Sequence, residues 1–145
     1  MRIGALDVGD RRIGVAVSDE LGLSAQGLGV VHRTKLEADL AALEECFQPY
    51  APTSIVVGLP RNMNGSEGPQ AEKVRRFAAD LEQSLGLPLV FWDERLSTVA
   101  AERVLIEGNV RRAKRKQVID KVAAVVILQG YLDSLGTTLA PPDPK

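Results

Sequence analysis

Residues 2–19 read Arg2-Ile3-Gly4-Ala5-Leu6-Asp7-Val8-Gly9-Asp10-Arg11-Arg12-Ile13-Gly14-Val15-Ala16-Val17-Ser18-Asp19. Two β-rich runs, 2–8 and 12–19, flank Gly9-Asp10-Arg11, which has the composition and spacing of a tight hairpin turn. A third apolar run, Gly27 to Val31, is expected beside them. Downstream the period changes. Thr34-Lys35-Leu36-Glu37 reads as a capping box opening a helix, with Leu36, Leu40, Leu43 and Phe47 at helical spacing and Pro49 and Pro52 after it. Ile55-Val56-Val57-Gly58-Leu59 is short, apolar on both faces and β-branched, as a buried parallel strand should be. Pro69 opens a second helix striped by Val74, Phe77 or Ala78, Leu81 and Leu85, and Gly86 and Pro88 stop it. Leu89 to Trp92 reads as another buried strand, Ser97 or Thr98 caps a helix ending at Gly108-Asn109, and Val118 to Leu135 forms a last apolar helix. The order β-β-β-α-β-α-β-α-α predicts an α/β fold, a mixed sheet with helices over its faces.

The length of 145 residues, with 45% hydrophobic and 26% charged, suits one ordinary globular domain. It excludes a collagen-like chain, a disulfide scaffold and a wholly disordered one. With no internal repeat or linker, residues 1–136 are expected to form the domain and 137–145 a flexible tail. No apolar stretch approaches the ~20 residues that span a bilayer. The start has no long apolar segment before Asp7, so no signal peptide and no membrane partner are predicted, and a cytoplasmic location is the expectation. A single cysteine, Cys46, excludes an internal disulfide and a cysteine zinc cluster, and a single histidine, His32, excludes a multi-histidine site. Any metal must then be held by oxygen, which points to magnesium or manganese. Net charge is −1, yet residues 111–116, Arg-Arg-Ala-Lys-Arg-Lys, carry five cations and leave −6 on everything else.

Three acids fall at element ends. Asp7 lies within an apolar strand, where a carboxylate is costly unless something pairs with it; its plain alternative is a turn residue before Gly9. Glu94 lies where the strand 89–92 surfaces, and its alternative is an ion pair with Arg95. Asp120 opens the last helix, where the helix dipole alone favours an acid, but Ala123, Ala124 and Ile127 follow on the same side. Three convergent carboxylates repel one another unless a divalent cation neutralises them. Two such ions would clamp the attacking and leaving oxygens of a phosphodiester. Arg61, Asn62 and Asn64 of the polar loop 60–68 are candidate phosphate contacts, or an ordinary turn. Arg111, Arg112, Lys114, Arg115 and Lys116 are candidate backbone-phosphate contacts, or a solvated charged loop.

Leu6-Asp7-Val8-Gly9 with Arg12-Ile13-Gly14-Val15-Ala16, Val57-Gly58-Leu59-Pro60 with Asn64-Gly65, Asp93-Glu94-Arg95-Leu96-Ser97-Thr98, and Asp120-Lys121-Val122-Ala123-Ala124 together resemble the YqgF family, also called RuvX. The resemblance spans about residues 2–135 and has no departure at the three acids. It implies a ribonuclease H-like fold related to the resolvase RuvC, with a five-stranded mixed sheet ordered 3-2-1-4-5 and helices on both faces. It also implies an acidic metal site on Asp7, Glu94 and Asp120, holding two Mg²⁺ or Mn²⁺ ions. Members of the family are described as nucleases of the 16S rRNA precursor or as Holliday junction resolvases. The expected function is therefore hydrolysis of structured RNA or branched DNA by a monomer or homodimer. Two readings compete with it. Asp-x-Gly before a hairpin also resembles the first phosphate motif of actin-like ATPases and sugar kinases, but this chain has no second such hairpin. The other is a nucleic-acid-binding module without catalysis, against which the three acids argue.

Overall fold

The computed structural model describes residues 1–94 and 112–139, with side chains described over 1–94 and 122–135. The hairpin forms as its turn chemistry dictates: β1 (Ile3–Val8) runs antiparallel to β2 (Arg12–Ser18), with Val8 opposite Ile13. The Gly9 N–H donates to the Arg12 carbonyl at 2.9 Å and closes the turn. β3 (Ala25–His32) pairs antiparallel with β2, while β4 (Ser54–Leu59) lies parallel to β1 and β5 (Leu89–Asp93) parallel to β4. The sheet order is β3-β2-β1-β4-β5, the mixed topology expected, with β1 at its centre and buried along its whole length.

The period-2 alternation of the strands divides the core between two faces. Leu6, Val8, Val57 and Leu59 pack on one side with Leu43 and Phe47 of α1 (Leu36–Phe47) and Val74, Phe77 and Leu81 of α2 (Pro69–Leu85). Ile3, Ala5, Ala16 and Val56 pack on the other with Ala123, Ala124, Ile127 and Leu128 of α3 (Arg112–Leu139). The small residues of α3 let that helix approach β1 and β2 closely. Among the described residues, no helix is long and apolar enough to cross a membrane.

Several local expectations are corrected. The last helix starts at Arg112, not Val118, and runs to Leu139, not Leu135. Arg, Ala, Lys and Gln are strong helix formers, nothing between 112 and 118 breaks a helix, and the next proline is Pro141. Residues 112–116 of the basic segment are therefore helical, not loop. The helix expected over residues 97–108 lies outside the described residues. β5 is a half-buried edge strand, because no further strand among the described residues covers its outer side.

The capping box at Thr34 does not form: Lys35 occupies the cap position of α1 with no side-chain bond. Leu36 is exposed, and Asp39 takes a buried place in its stead at 3% exposure. The Asp39 carboxylate accepts the Thr34 N–H at 2.9 Å and pairs with Arg33 Nε at 3.5 Å. Arg33 Nη1 in turn donates to the Gly9 carbonyl at 2.8 Å, tying the start of α1 to the hairpin turn. Removing a buried acceptor strands its donors, so Asp39→Ala should lower unfolding stability by about 2 kcal/mol. Leu36→Ala, on the exposed side, should cost under about 0.5 kcal/mol. Urea unfolding of both variants checks the assignment; the reverse ranking would restore the predicted leucine stripe.

Candidate active site

Asp7 sits on the α3 face of the sheet, since Ile3 and Ala5 pack there and Leu6 and Val8 pack on the opposite side. It is 8% exposed, near the carboxyl end of the central strand. Its neighbours across the sheet are both glycines. Gly14 of β2 pairs directly with it, and Gly58 of β4 is the position after Val57, which pairs with Leu6. Glycine inside a strand weakens it and marks a place where something must approach closely.

Gly58 shows what approaches. A Cβ there would lie 3.3 Å from Glu94 Cγ and 2.5 Å from Ile127 Cδ1. Glu94, immediately after β5, thus leans back over Gly58 toward β1 beneath α3. Asp7 and Glu94 lie two strands apart, on the order of 10 Å between backbones, with no side chain on the intervening residue. Beyond Gly58 in the same row, Trp92 pairs with Gly58 across β4 and β5. It packs against Gly130 and edge-on to Tyr131, with ring centroids 6.0 Å apart. Trp92 and Phe91 are partly buried and pack against the core clusters on opposite faces.

Asp120 lies on α3, three and four positions before Ala123 and Ala124, whose side chains are buried against the sheet. Its side chain is outside the described residues, as are Arg111 and the side chains of Arg112, Lys114, Arg115 and Lys116. Among the described residues no group of three or more acids, cysteines or histidines could hold a metal ion; Asp7 and Glu94 lie at the same edge and on the same face of the sheet.

The loop 60–68 leaves the carboxyl end of β4, at the same edge as Asp7 and Glu94. Its amides are largely engaged internally. Asn62 Nδ2 donates to Ser66 Oγ at 2.9 Å, and Asn64 Oδ1 accepts from the Ser66 hydroxyl at 2.6 Å and from its N–H at 3.0 Å. Arg61 lies 3.7 Å from Glu67, which also receives two bonds from Arg75 at 2.6 and 2.7 Å. The Arg75 bonds hold the Glu67 carboxyl below the usual carboxylate range. Gly14 and Gly58 were absent from the residues predicted to form the site; the signal that marks them is glycine inside an otherwise β-branched strand.

A central hairpin and a mixed sheet ordered 3-2-1-4-5, with helices on both faces, define a ribonuclease H-like fold. More narrowly, residues 1–134 match the RuvX family, described as Holliday junction resolvase, and the chain belongs to that family. A relative from Moorella thermoacetica is 62% identical over 136 residues, covering 94% of this chain and 97% of its own. One from Symbiobacterium thermophilum is 61% identical over 134 residues, covering 92% and 93%. Both are named "Putative pre-16S rRNA nuclease". The fold is similar to that of Thermus thermophilus RuvC in complex with Holliday junction substrate, with a TM-score of 0.60 at 16% identity over 94% of this chain and 97% of that one. It is also similar to the fowlpox virus Holliday junction resolvase, with a TM-score of 0.53 at 12% identity over 93% and 99%.

The space over Gly58 generates a test. Gly58→Ala should cost about 1–3 kcal/mol through overpacking against Ile127. Adding Ile127→Val removes the Cδ1 atom in the way and should restore most of that stability. Glu94 stays displaced in the double variant, so its nuclease activity should remain at least about tenfold down. Recovery of activity together with stability, followed by thermal melts and cleavage assays, would show that Gly58 serves packing alone.

Proposed function

We propose that this chain is a divalent-metal-dependent phosphodiesterase that trims the 5′ end of the 16S rRNA precursor. The observation that carries the reading is Asp7, buried on the central strand between two glycines, with Glu94 leaning over one of them. This donor set fits a hard cation: it consists of carboxylate oxygens, and the chain's one histidine and one cysteine cannot form a softer cluster. Asp7, Glu94 and Asp120 would hold Mg²⁺ or Mn²⁺. When bound, these ions activate the attacking water and neutralise charge on the leaving 3′ oxygen.

The protein's own contribution is position and charge. Buried β1 and the packed α3 face fix Asp7 in the sheet. Gly58 leaves the room in which Glu94 reaches inward. The cations of 111–116 supply contacts to backbone phosphates that orient the strand without reading its sequence. Arg61, beside Glu67 at the same edge, adds a further cation, while Asn62 and Asn64 shape the loop that presents it. A second reading, cleavage of four-way DNA junctions, is favoured by the family's description; a homodimer placing two sites on one junction would suit it.

The test is cleavage of a matched panel, precursor 16S rRNA, single strands, duplexes and four-way DNA junctions, with Mg²⁺ or Mn²⁺. The rRNA precursor should be cut, and Asp7→Asn, Glu94→Gln and Asp120→Asn should each lower the rate by at least about a thousandfold. Alanine at the five island cations should weaken substrate binding and flatten its salt dependence, leaving the fold intact. Cutting of junctions alone would establish the second reading, and full activity of Asp7→Asn would remove the carboxylate mechanism.

A further inference from the structure

On the opposite face of the same sheet edge, a cavity of about 420 Å³ opens between the hairpin turn, the start of α1 and α2. Asp10, Arg33, Asp39, Lys73 and Arg76 line it. Arg33 is held on three sides: Nη1 donates to the Gly9 carbonyl at 2.8 Å, Nε faces Asp39 at 3.5 Å, and the guanidinium lies 4.8 Å from the Phe77 ring centroid. Such a guanidinium is pre-organised, and its Nη2 has no hydrogen-bond partner among the described residues. Lys73 meets Asp10 at 3.6 Å in a pair whose side chains are 58% and 62% exposed. Arg76 has no ion pair among the described residues.

The charges of this cavity are unequal in availability. Asp39 is buried and already engaged by Thr34 and Arg33. Asp10 is exposed, and a pair such as Asp10–Lys73 is worth little in water. A phosphate can therefore replace Asp10 at Lys73 while also meeting Arg76 and Arg33.

We propose that this cavity seats one backbone phosphate of the bound nucleic-acid strand on Arg33, Lys73 and Arg76. Asp10 is the anion it displaces. The assignment rests on the nuclease reading above and adds a substrate contact that lies off the acidic face of the sheet.

Fluorescence anisotropy with a labelled hairpin RNA lacking a terminal phosphate, in EDTA and between about 50 and 200 mM salt, tests it. Lys73→Ala with Arg76→Ala should weaken binding about tenfold at the lower salt and reduce the salt slope by about 1. Asp10→Asn should tighten binding severalfold. Thermal melts check that the surface variants remain folded. Unchanged affinity and slope in the double variant, or weaker binding in Asp10→Asn, would overturn the proposal. So would calorimetric binding of inorganic phosphate that depends on Lys73 and Arg76 while RNA affinity does not, which would make the cavity a small-anion site. A parent protein that binds and cleaves nucleic acid, with the double variant its equal, overturns this assignment alone. A parent that binds no nucleic acid overturns the nuclease reading with it.

Discussion

A carboxylate on the central strand of a sheet must be compensated, because removing it from water without a partner is costly. Asp7 meets that constraint at 8% exposure, and much of the molecule is arranged around it. The hairpin turn begins two residues later and is closed by Gly9 and Arg12. The glycines on both neighbouring strands remove side chains that would crowd the carboxylate. Gly58 admits Glu94 to the same face, and Ala123 and Ala124 let α3 lie close above it. A structure built only for stability would place an aliphatic residue at position 7, as it does at Ala5 on the same face.

The strands were legible because their signals are local and strong, whereas their order in the sheet came from the family resemblance. A turn-bounded hairpin, a β-branched run at 55–59 and proline and glycine at the ends of α2 each leave one solution. Gly86 adopts φ 68° at the C-cap, the left-handed position glycine fills without strain. The start of α1 was misread because the Glu37 of a capping box and the buried Asp39 are alternative acceptors for the same Thr34 N–H. Only tertiary contact with Arg33 and the hairpin decides between them. The start of α3 was misread because a run of cations looks like loop by charge and like helix by propensity, and propensity won.

Within the site, Asp7 and Glu94 were recognisable as acids at strand ends, and the structure puts both at one edge. Neither periodicity nor composition reveals that Glu94 reaches inward over Gly58, since that depends on the register of β4 against β5. The internal bonding of Asn62 and Asn64 was equally invisible, because an amide suited to a phosphate is equally suited to a loop carbonyl or hydroxyl. The carboxyl edge now carries two chemically distinct features back to back: the acidic pair beneath α3, and the cationic cavity under α1 and α2. The hairpin turn joins them.

The central claim is that Asp7 is kept in the sheet as a metal ligand and not as a turn residue. Thermal unfolding of the parent and of Asp7→Asn, with and without Mn²⁺, tests it most directly. If Asp7 is a ligand, the metal-free variant melts at or above the temperature of the parent, because one of several repelling carboxylates has lost its charge. Mn²⁺ should then raise the melting temperature of the parent, by mass action on the folded state, and barely move that of the variant. A metal-free variant that melts well below the parent, with an equal Mn²⁺ shift in both, would contradict the account and make Asp7 a structural residue.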